Sequence, residues 1–474
     1  MPDLATSMSD ARSDRAQKLG VTGAGVKVAV FENGPANQRG LKFAARYTDA
    51  PNVTLIQAGH SRLTSAIIKN DQEGGPHGHA PDCDLYSANS SDNIALTWAA
   101  EQGCTVISQS FHRDEEPRSG ARQSDDILKD WIAIRPPFPT IVSAAGNFWK
   151  GDPDGISPPQ DEYVNHKGYN TITVGNHKDK LAGMVDGSVF RNPTSTHGDW
   201  ELPDLVANGD TVSAVGESGS GTSFAAPAVA GIVALLQQAD TVLKFWPEGN
   251  RAVLYASASR NLSDSSWWAD VGARDARDGV GAVDAEAAVR IAKHRQRPGK
   301  ANVSSIGYDV GYNVAGTALS RQKASSGKIG NPTLIKREEP SPPDTSIYYV
   351  RAKSLGLTTP MGGAPAHPAF VMIHTIRIAL AWSIEPTELA SPDEGRMNVD
   401  LDLQVFDDAR NLVAHSSSYD NSYEVLEFTA VVGKIYEVFI IRSSGDRGVP
   451  FGIAWTTISR PIFPLPAPKV VAGG

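Results

Sequence analysis

Between residues 26 and 292 two hydrophobic periodicities alternate. Five short runs, VKVAVF (26–31), CDLYSA (83–88), TVISQS (105–110), TIVSAAG (140–146) and TITVG (171–175), are β-branched and largely apolar. Runs of that kind are expected of strands buried on both faces of a parallel sheet. Helical patterns lie between them. In 91–102, Ile94 and Trp98 fall at helical spacing behind Ser91 and Asp92 as caps, and 124–134 opens with Asp125 and Asp126 near its positive end. Strand, helix and strand in succession predict right-handed crossovers and a doubly wound, mostly parallel α/β sheet. The chemistry of such a sheet sits beyond the carboxyl ends of its strands.

The pattern changes after residue 292. HRQRPGK (294–300) is basic and polar, and KREEPSPPDT (336–345) is proline-rich and charged, as linkers often are. Beyond them IRIALAWS (376–383), VDLDLQVF (399–406), YEVLEFTA (423–430), IYEVFII (435–441) and FGIAWTT (451–457) read as strands separated by turn residues. They predict an antiparallel β-sandwich. The expected division is an α/β domain over 1–298, a transition over 299–345 and a sandwich over 346–474.

Composition narrows the function classes. The 474 residues are too many for one ordinary core, and 40% hydrophobic with 20% charged residues is globular. A net charge of −9 argues against general affinity for nucleic acid or anionic membrane. No run of about 18 apolar residues is evident. The first twenty residues are polar and mixed in charge, without the apolar stretch of a secretory signal. That favours a cytoplasmic site of action, with a secreted mature form as the alternative. Cys83 and Cys104 each open an apolar stretch and read as buried thiols rather than a bridge.

The strongest chemical signal is SGSGTSFAAPAVAGIVALLQQA (218–239). A glycine-rich loop runs into a helix whose first turns are small, with Ala225, Ala226, Ala228 and Ala230, so the helix can bury itself tightly. Ser223 is then held at the positive pole, where backbone N–H groups stabilise an oxyanion. Alone, a Gly-Thr-Ser before a helix is a capping motif. The full GTSFAAPAVAG, however, resembles the nucleophile motif of the subtilisin-like serine proteases, with Phe224 and Ala228 in place of a methionine and a histidine.

Further landmarks of that family follow. SAAGN (143–147) resembles the strand end that supplies an oxyanion-hole asparagine, which implies Asn147. PDLVANGDTV (203–212) is similar to the family's Pro-Asp-Leu/Val-x-Ala-Pro-Gly segment, with Asn208 for the proline. TVISQSF (105–111) resembles the strand that pairs with substrate, and VGAVDAEAAV (280–289) the end of the catalytic domain. The resemblance covers about 280 residues.

By this resemblance Ser223 is the nucleophile and His60, in GHSRLTSAI (59–67), the general base; His77 and His79 are weaker candidates. The acid position in VKVAVFENG carries Glu32 where the family has aspartate, and Asp49 is the nearest other acid. Glutamate is longer by one carbon–carbon bond, about 1.5 Å, so an atypical Glu-His-Ser triad is implied. Substrate would bind as an extended strand against Ser110, Phe111 and His112, with Ser143, Ala144, Ala145 and Gly146 opposite. His112 stands where a glycine keeps the specificity pocket open, which predicts a narrowed cleft.

The implied activity is serine endopeptidase, with no cofactor required for chemistry. Structural calcium is a further expectation, at Asp71 and Glu73 in the loop 70–80 or at Asp400 and Asp402. The C-terminal strands resemble the jelly-roll domain appended to some family members. Two alternatives are a maturation protease dedicated to one partner, and an impaired subtilase-like binding protein.

Overall fold

The computed structural model describes residues 3–462 apart from 35, 37, 49–57, 91, 113–121, 148–163, 191–200, 259–260, 263–276, 315–346, 354–370, 387–396, 398, 419 and 446. Two short helices, α1 (Leu4–Asp10) and α2 (Ser13–Lys18), come first. Asp3 caps α1 by accepting the Thr6 N–H, and Leu4 and Met8 sink into the main core. The chain continues as β1 (Lys27–Glu32), β2 (Ala45–Thr48), α3 (Ala58–Ile68), β3 (Asp84–Asn89), α4 (Asn93–Glu101), β4 (Val106–Gln109), α5 (Ser124–Ala133) and β5 (Thr140–Ala144). After these come β6 (Ile172–His177), β7 (Leu205–Asn208), the hairpin β8 (Val212–Ala214) and β9 (Glu217–Gly219), α6 (Thr222–Ala239), α7 (Pro247–Ser257) and α8 (Ala285–Ala292).

Seven strands form one sheet in the order β2-β3-β1-β4-β5-β6-β7, every neighbouring pair parallel. The order turns back at β1, which has β3 on one side and β4 on the other. That opens a crevice at the carboxyl ends of β1 and β4. Residues alternate across the sheet. Val28 and Val30 join the core under α3 and α6, whereas Ala29 and Phe31 join the core under α4. The five strands expected from the apolar runs are all present, each within one residue of its expected bounds at the start and two at the end.

α4 forms as expected, with Asp92 accepting the Ile94 N–H, but its inward face is Ala95, Leu96 and Ala99. Ile94 stands 59% exposed, because the two alanines let the helix backbone lie close to the sheet and turn Ile94 outward. Cys83 and Cys104 are free and buried, and burial pushes both thiols up to about 12. α6 is the central helix. By length and composition it could cross a membrane, yet 83% of it is buried inside the fold. Gly231 is needed there: a Cβ would come within 2.6 Å of the His79 Cβ.

The second half contains β10 (Val303–Ser304), β11 (Ile306–Asn313), β12 (Ile347–Arg351), β13 (Val371–Trp382), β14 (Asp400–Phe406), β15 (Leu412–Ser416), β16 (Tyr423–Thr429), β17 (Ile435–Ser444) and β18 (Val449–Ile462). They make a five-stranded sheet, β10-β12-β17-β14-β15, and a four-stranded sheet, β11-β18-β13-β16. Residues 303–313 were expected in the transition segment; instead β11 pairs with β18 along its whole length, from Ile306↔Thr456 to Asn313↔Val449. Two glycines had hidden this strand. Gly307 and Gly311 face the Trp455 and Phe451 rings, where a Cβ would lie 3.0 and 3.3 Å away.

The four-stranded sheet is covered on both faces. Ile376, Ile378, Leu380, Trp382, Ile453 and Trp455 meet the five-stranded sheet. On the other face Ala379, Ala381 and Ala454 belong to the core of the α/β half. A Cβ on Gly452 would lie 2.5 Å from the Glu248 carbonyl oxygen, so α7 rests directly on the strand.

Candidate active site

β1 ends on Glu32 and α3 carries His60 in its first turn. The His60 Nδ1 lies 3.2 Å from Glu32 Oε2. Glu32 is 1% exposed, so the longer acid is accommodated in the protein rather than pushed out into water. With a carboxylate oxygen at Nδ1, the neutral ring carries its proton there and presents Nε2 as an acceptor. Burial pulls the His60 pKa down, but the charge of Glu32 and its hydrogen bond outweigh this and leave it above the ordinary imidazole value.

The start of α3 is tied on two sides. Ser61 Oγ donates to the Gly34 carbonyl at 2.8 Å, in the turn after β1. Arg62 donates to the Val215 carbonyl at 2.6 Å and pairs with Glu217 at 2.7 Å, fastening the β8–β9 hairpin to the helix. That hairpin leads straight into the loop before Ser223.

α6 brings Ser223 to the second position of its first turn. Gly221 caps the helix at φ 152, and a Cβ there would be 3.2 Å from Asn147 Oδ1. The Asn147 Oδ1 accepts the Thr222 N–H at 2.9 Å, which turns its Nδ2 donors outward from that bond. Thr222 Oγ1 in turn accepts the Gly146 N–H at 3.1 Å. Phe224 N–H is taken by the Gly221 carbonyl. The Ser223 N–H makes no hydrogen bond among the described residues, so it and Asn147 Nδ2 are the two donors available beside Ser223. Pro227 lacks an N–H and cannot bond the Ser223 carbonyl four residues back.

Ser223 Oγ donates to the Ser110 carbonyl at 3.1 Å rather than to His60. His60 is nonetheless close, its ring centroid 5.4 Å from that of Phe224, the residue after Ser223. Ser110 and Phe111 follow β4, and Phe111 packs edge-on against Phe31 at 4.9 Å. His112 is exposed. Opposite, Ser143 and Ala145 are fully buried and Ala144 nearly so. Side-chain contact on that wall is therefore not open to Ser143 or Ala145; what they contribute is the sheet end on which Gly146 and Asn147 stand. Gly146 adopts φ 116, and a Cβ would meet the Asn165 side chain at 2.8 Å.

Sequence patterns did not point to His166 and Lys129. Both are buried. Lys129 Nζ donates to His166 Nδ1 at 2.7 Å, and His166 Nε2–H donates to the Phe111 carbonyl at 3.0 Å. Burial, with the Lys129, Lys167 and His112 charges, holds the His166 pKa well below its ordinary value, so the ring stays neutral. Gln109 Nε2 donates to the same carbonyl at 3.2 Å. A lone histidine in YVNHKGYN carries no local signal for this role.

The weaker candidates lie elsewhere. His77 is exposed, and His79 is buried against Ser7, its pKa pushed down to about 3 by burial. Asp49 falls outside the described residues. For calcium, Asp71 and Glu73 are exposed on the loop after α3, and Asp402 accepts from Ser443 Oγ in the sandwich. Among the described residues no three His, Cys, Asp or Glu side chains gather at one place.

The parallel sheet, the buried helix with a serine at its start and the acid–histidine contact are the arrangement of a serine peptidase. The chain belongs to the subtilase family, whose profile (Peptidase_S8) matches residues 23–290. It is similar to alkaline elastase YaB of Bacillus sp. (strain YaB), 26% identical over 293 residues, 58% of this chain and 67% of that protein. Subtilisin DY of Bacillus licheniformis is likewise 26% identical over 298 residues, 59% of this chain and 96% of that one. Among solved structures, MycP1 with its N-terminal propeptide removed is 23% identical with a TM-score of 0.44, covering 60% of this chain and 96% of that one.

Proposed function

We propose that this subtilase is a serine endopeptidase working through an atypical Glu32–His60–Ser223 triad, with Asn147 Nδ2 and the Ser223 N–H as the oxyanion donors. The observation that carries this reading is the 3.2 Å contact between His60 Nδ1 and a fully buried Glu32 carboxylate, beside the start of α6. Glu32 orients His60 and stabilises its cation. His60 Nε2 takes the proton from Ser223 Oγ, which attacks the peptide carbonyl, and the oxyanion falls between the two donors. His60 gives that proton to the amine as the C–N bond breaks and the amine departs. Water, deprotonated by His60, then attacks the acyl-enzyme, and the Ser223 hydroxyl is restored as the acid leaves. The substrate is a peptide lying as an extended strand along Ser110, Phe111 and His112.

The Ser110 carbonyl has a part in this sequence. It accepts the Ser223 hydroxyl at 3.1 Å. A substrate N–H that binds the same carbonyl frees the hydroxyl to turn toward His60, so nucleophile activation follows occupancy of the cleft. A hydrogen bond to the general base that tightens only with substrate is ordinary for such sites.

A fluorophosphonate probe should label the protein at Ser223 and fail to label Ser223→Ala. Glu32→Gln keeps the shape and removes the charge; peptide hydrolysis should fall on the order of 10³–10⁴-fold. Unchanged turnover in Glu32→Gln would sink the role given to Glu32.

A further inference from the structure

At the carboxyl ends of β3 and β1, the sheet face under α3 changes from apolar to polar. Glu32 on β1 is in register with Asn89 on β3. Four residues earlier Val28 pairs with Leu85, and both belong to the core under α3 and α6; Ala29 pairs with Tyr86, and both belong to the core under α4. The two-residue period of a strand therefore sets Glu32 and Asn89 side by side on the α3 face, the face on which His60 meets Glu32. Neighbouring strands lie about 5 Å apart, a gap that a glutamate and an asparagine side chain can close.

Both side chains are shut away from solvent, Glu32 1% and Asn89 4% exposed. Glu32 uses Oε2 on His60. Its Oε1 is buried with no hydrogen-bond partner among the described residues, and so are both Oδ1 and Nδ2 of Asn89. Unpaired buried carboxylate and amide groups are costly and rare in folded proteins. Here an unmatched acceptor and an unmatched donor occupy adjacent positions on the same face. The nearest hydroxyls in register, Ser87 and Ser108, flank Val30 instead, two residues and about 6.6 Å back along the strands.

We propose that Asn89 is the positioning residue of the acid, its Nδ2 donating to Glu32 Oε1 either after a small rotation of the amide or across one water. The proposal rests on the reading of Glu32 as the triad acid. A glutamate has one more rotatable bond than the aspartate usual at this place, and without a hold on Oε1 its carboxylate can swing away from His60. A donor on the neighbouring strand removes that freedom and leaves Oε2 aimed at Nδ1. Asn89 touches neither substrate nor the reacting atoms; it acts through Glu32.

The test is a double-mutant cycle on the full chain. Asn89→Leu keeps the size and removes the donor, and it should lower kcat about 10- to 100-fold, the range expected when a catalytic group is misplaced. KM should stay within about twofold, because no substrate contact is lost. In a Glu32→Asp background the carboxylate is drawn back from Asn89, so the same substitution should change kcat less than about threefold, a clear departure from additivity. Equal losses in both backgrounds, or a loss carried by KM, would overturn the proposal. Should Asn89→Leu not fold, Asn89→Val, apolar and suited to a strand, replaces it; wild-type kcat in either donor-free variant overturns the proposal too. Failure of the triad itself reads differently: Glu32→Gln would then leave kcat untouched. If Glu32→Gln abolishes turnover while a donor-free Asn89 variant is neutral, only the role of Asn89 falls.

Discussion

The Glu32–His60 contact couples charge to activity in a direction that can be worked out. Burial disfavours the imidazolium, but Glu32 favours it more strongly, and the His60 pKa ends above its ordinary value. If His60 is the general base proposed above, it works only when neutral, so kcat/KM should rise with pH on a limb centred above about 6.5. Removing the charge in Glu32→Gln leaves burial unopposed, and the limb of the residual activity should move to lower pH. The stability linkage runs the other way: a raised folded-state pKa contributes stability that is complete below the unfolded value and is lost as pH rises through the folded one. The ion pair thus stabilises the resting protein at a pH where His60 cannot act as base. A pH–rate profile of wild type and Glu32→Gln checks this; a limb that does not move means His60 does not sense Glu32. At this scale the placement of Ser223 at the start of a buried helix and of Glu32 at the end of β1 was legible, the first from a glycine-rich loop running into small residues and the second from an apolar run that ends on an acid. It was not legible for Lys129 and His166, which meet each other and the Phe111 carbonyl from separate parts of the chain.

Among the elements, the start of α6 depends on the end of β5. Gly146 sits at φ 116, its N–H held by Thr222 Oγ1, with the Asn165 side chain 2.8 Å from where a Cβ would be. Gly146→Ala must strain the backbone and displace Asn165, and the next residue is Asn147. Strain of this kind costs about 1–3 kcal/mol, and with Asn147 as the proposed oxyanion donor its displacement should lower kcat on the order of 10²-fold. Gly299→Ala is the control, since Gly299 has φ 107 but nothing within 4 Å. It should lower the melting temperature without touching kcat. Comparable kcat losses in the two variants would show that general loosening, and not the Asn147 position, sets the rate. Elements were readable wherever one force dominated. The parallel strands are apolar on both faces and announced themselves, whereas β11 is half glycine and tyrosine and β15 lies on a sheet edge with Leu412 and Val413 exposed. The inward face of α4 misled because alanines, not the bulkier Ile94, make the close contact.

At the scale of the whole molecule, the α/β half and the sandwich share buried surface and buried polar groups. Arg251 of α7 is 1% exposed and donates to the Trp382 carbonyl at 3.1 Å and to Ser422 Oγ at 2.7 Å, beneath the rings of Tyr255 and Tyr423. Arg377 of β13 crosses the other way, to the Tyr255 carbonyl at 3.1 Å and the Val280 carbonyl at 2.7 Å. Asn170 adds a two-way pair with the Ile384 backbone at 2.8 and 2.9 Å. With Ala379, Ala381 and Ala454 in the core of the α/β half, the four-stranded sheet closes that core as well as its own. Two halves joined in this way should unfold together, unlike domains that meet across a wet, transient surface. Arg251→Ala would leave buried acceptors unpaired and a void beside two tyrosines, costing about 3 kcal/mol or more. In thermal unfolding followed both by tryptophan fluorescence and by remaining peptidase activity, the two curves should coincide in the wild type. In Arg251→Ala both should shift down by the same amount. If the variant kept full activity through a lower fluorescence transition, the sandwich would be an appendage, and the covered sheet face would be no part of what holds the active site in shape.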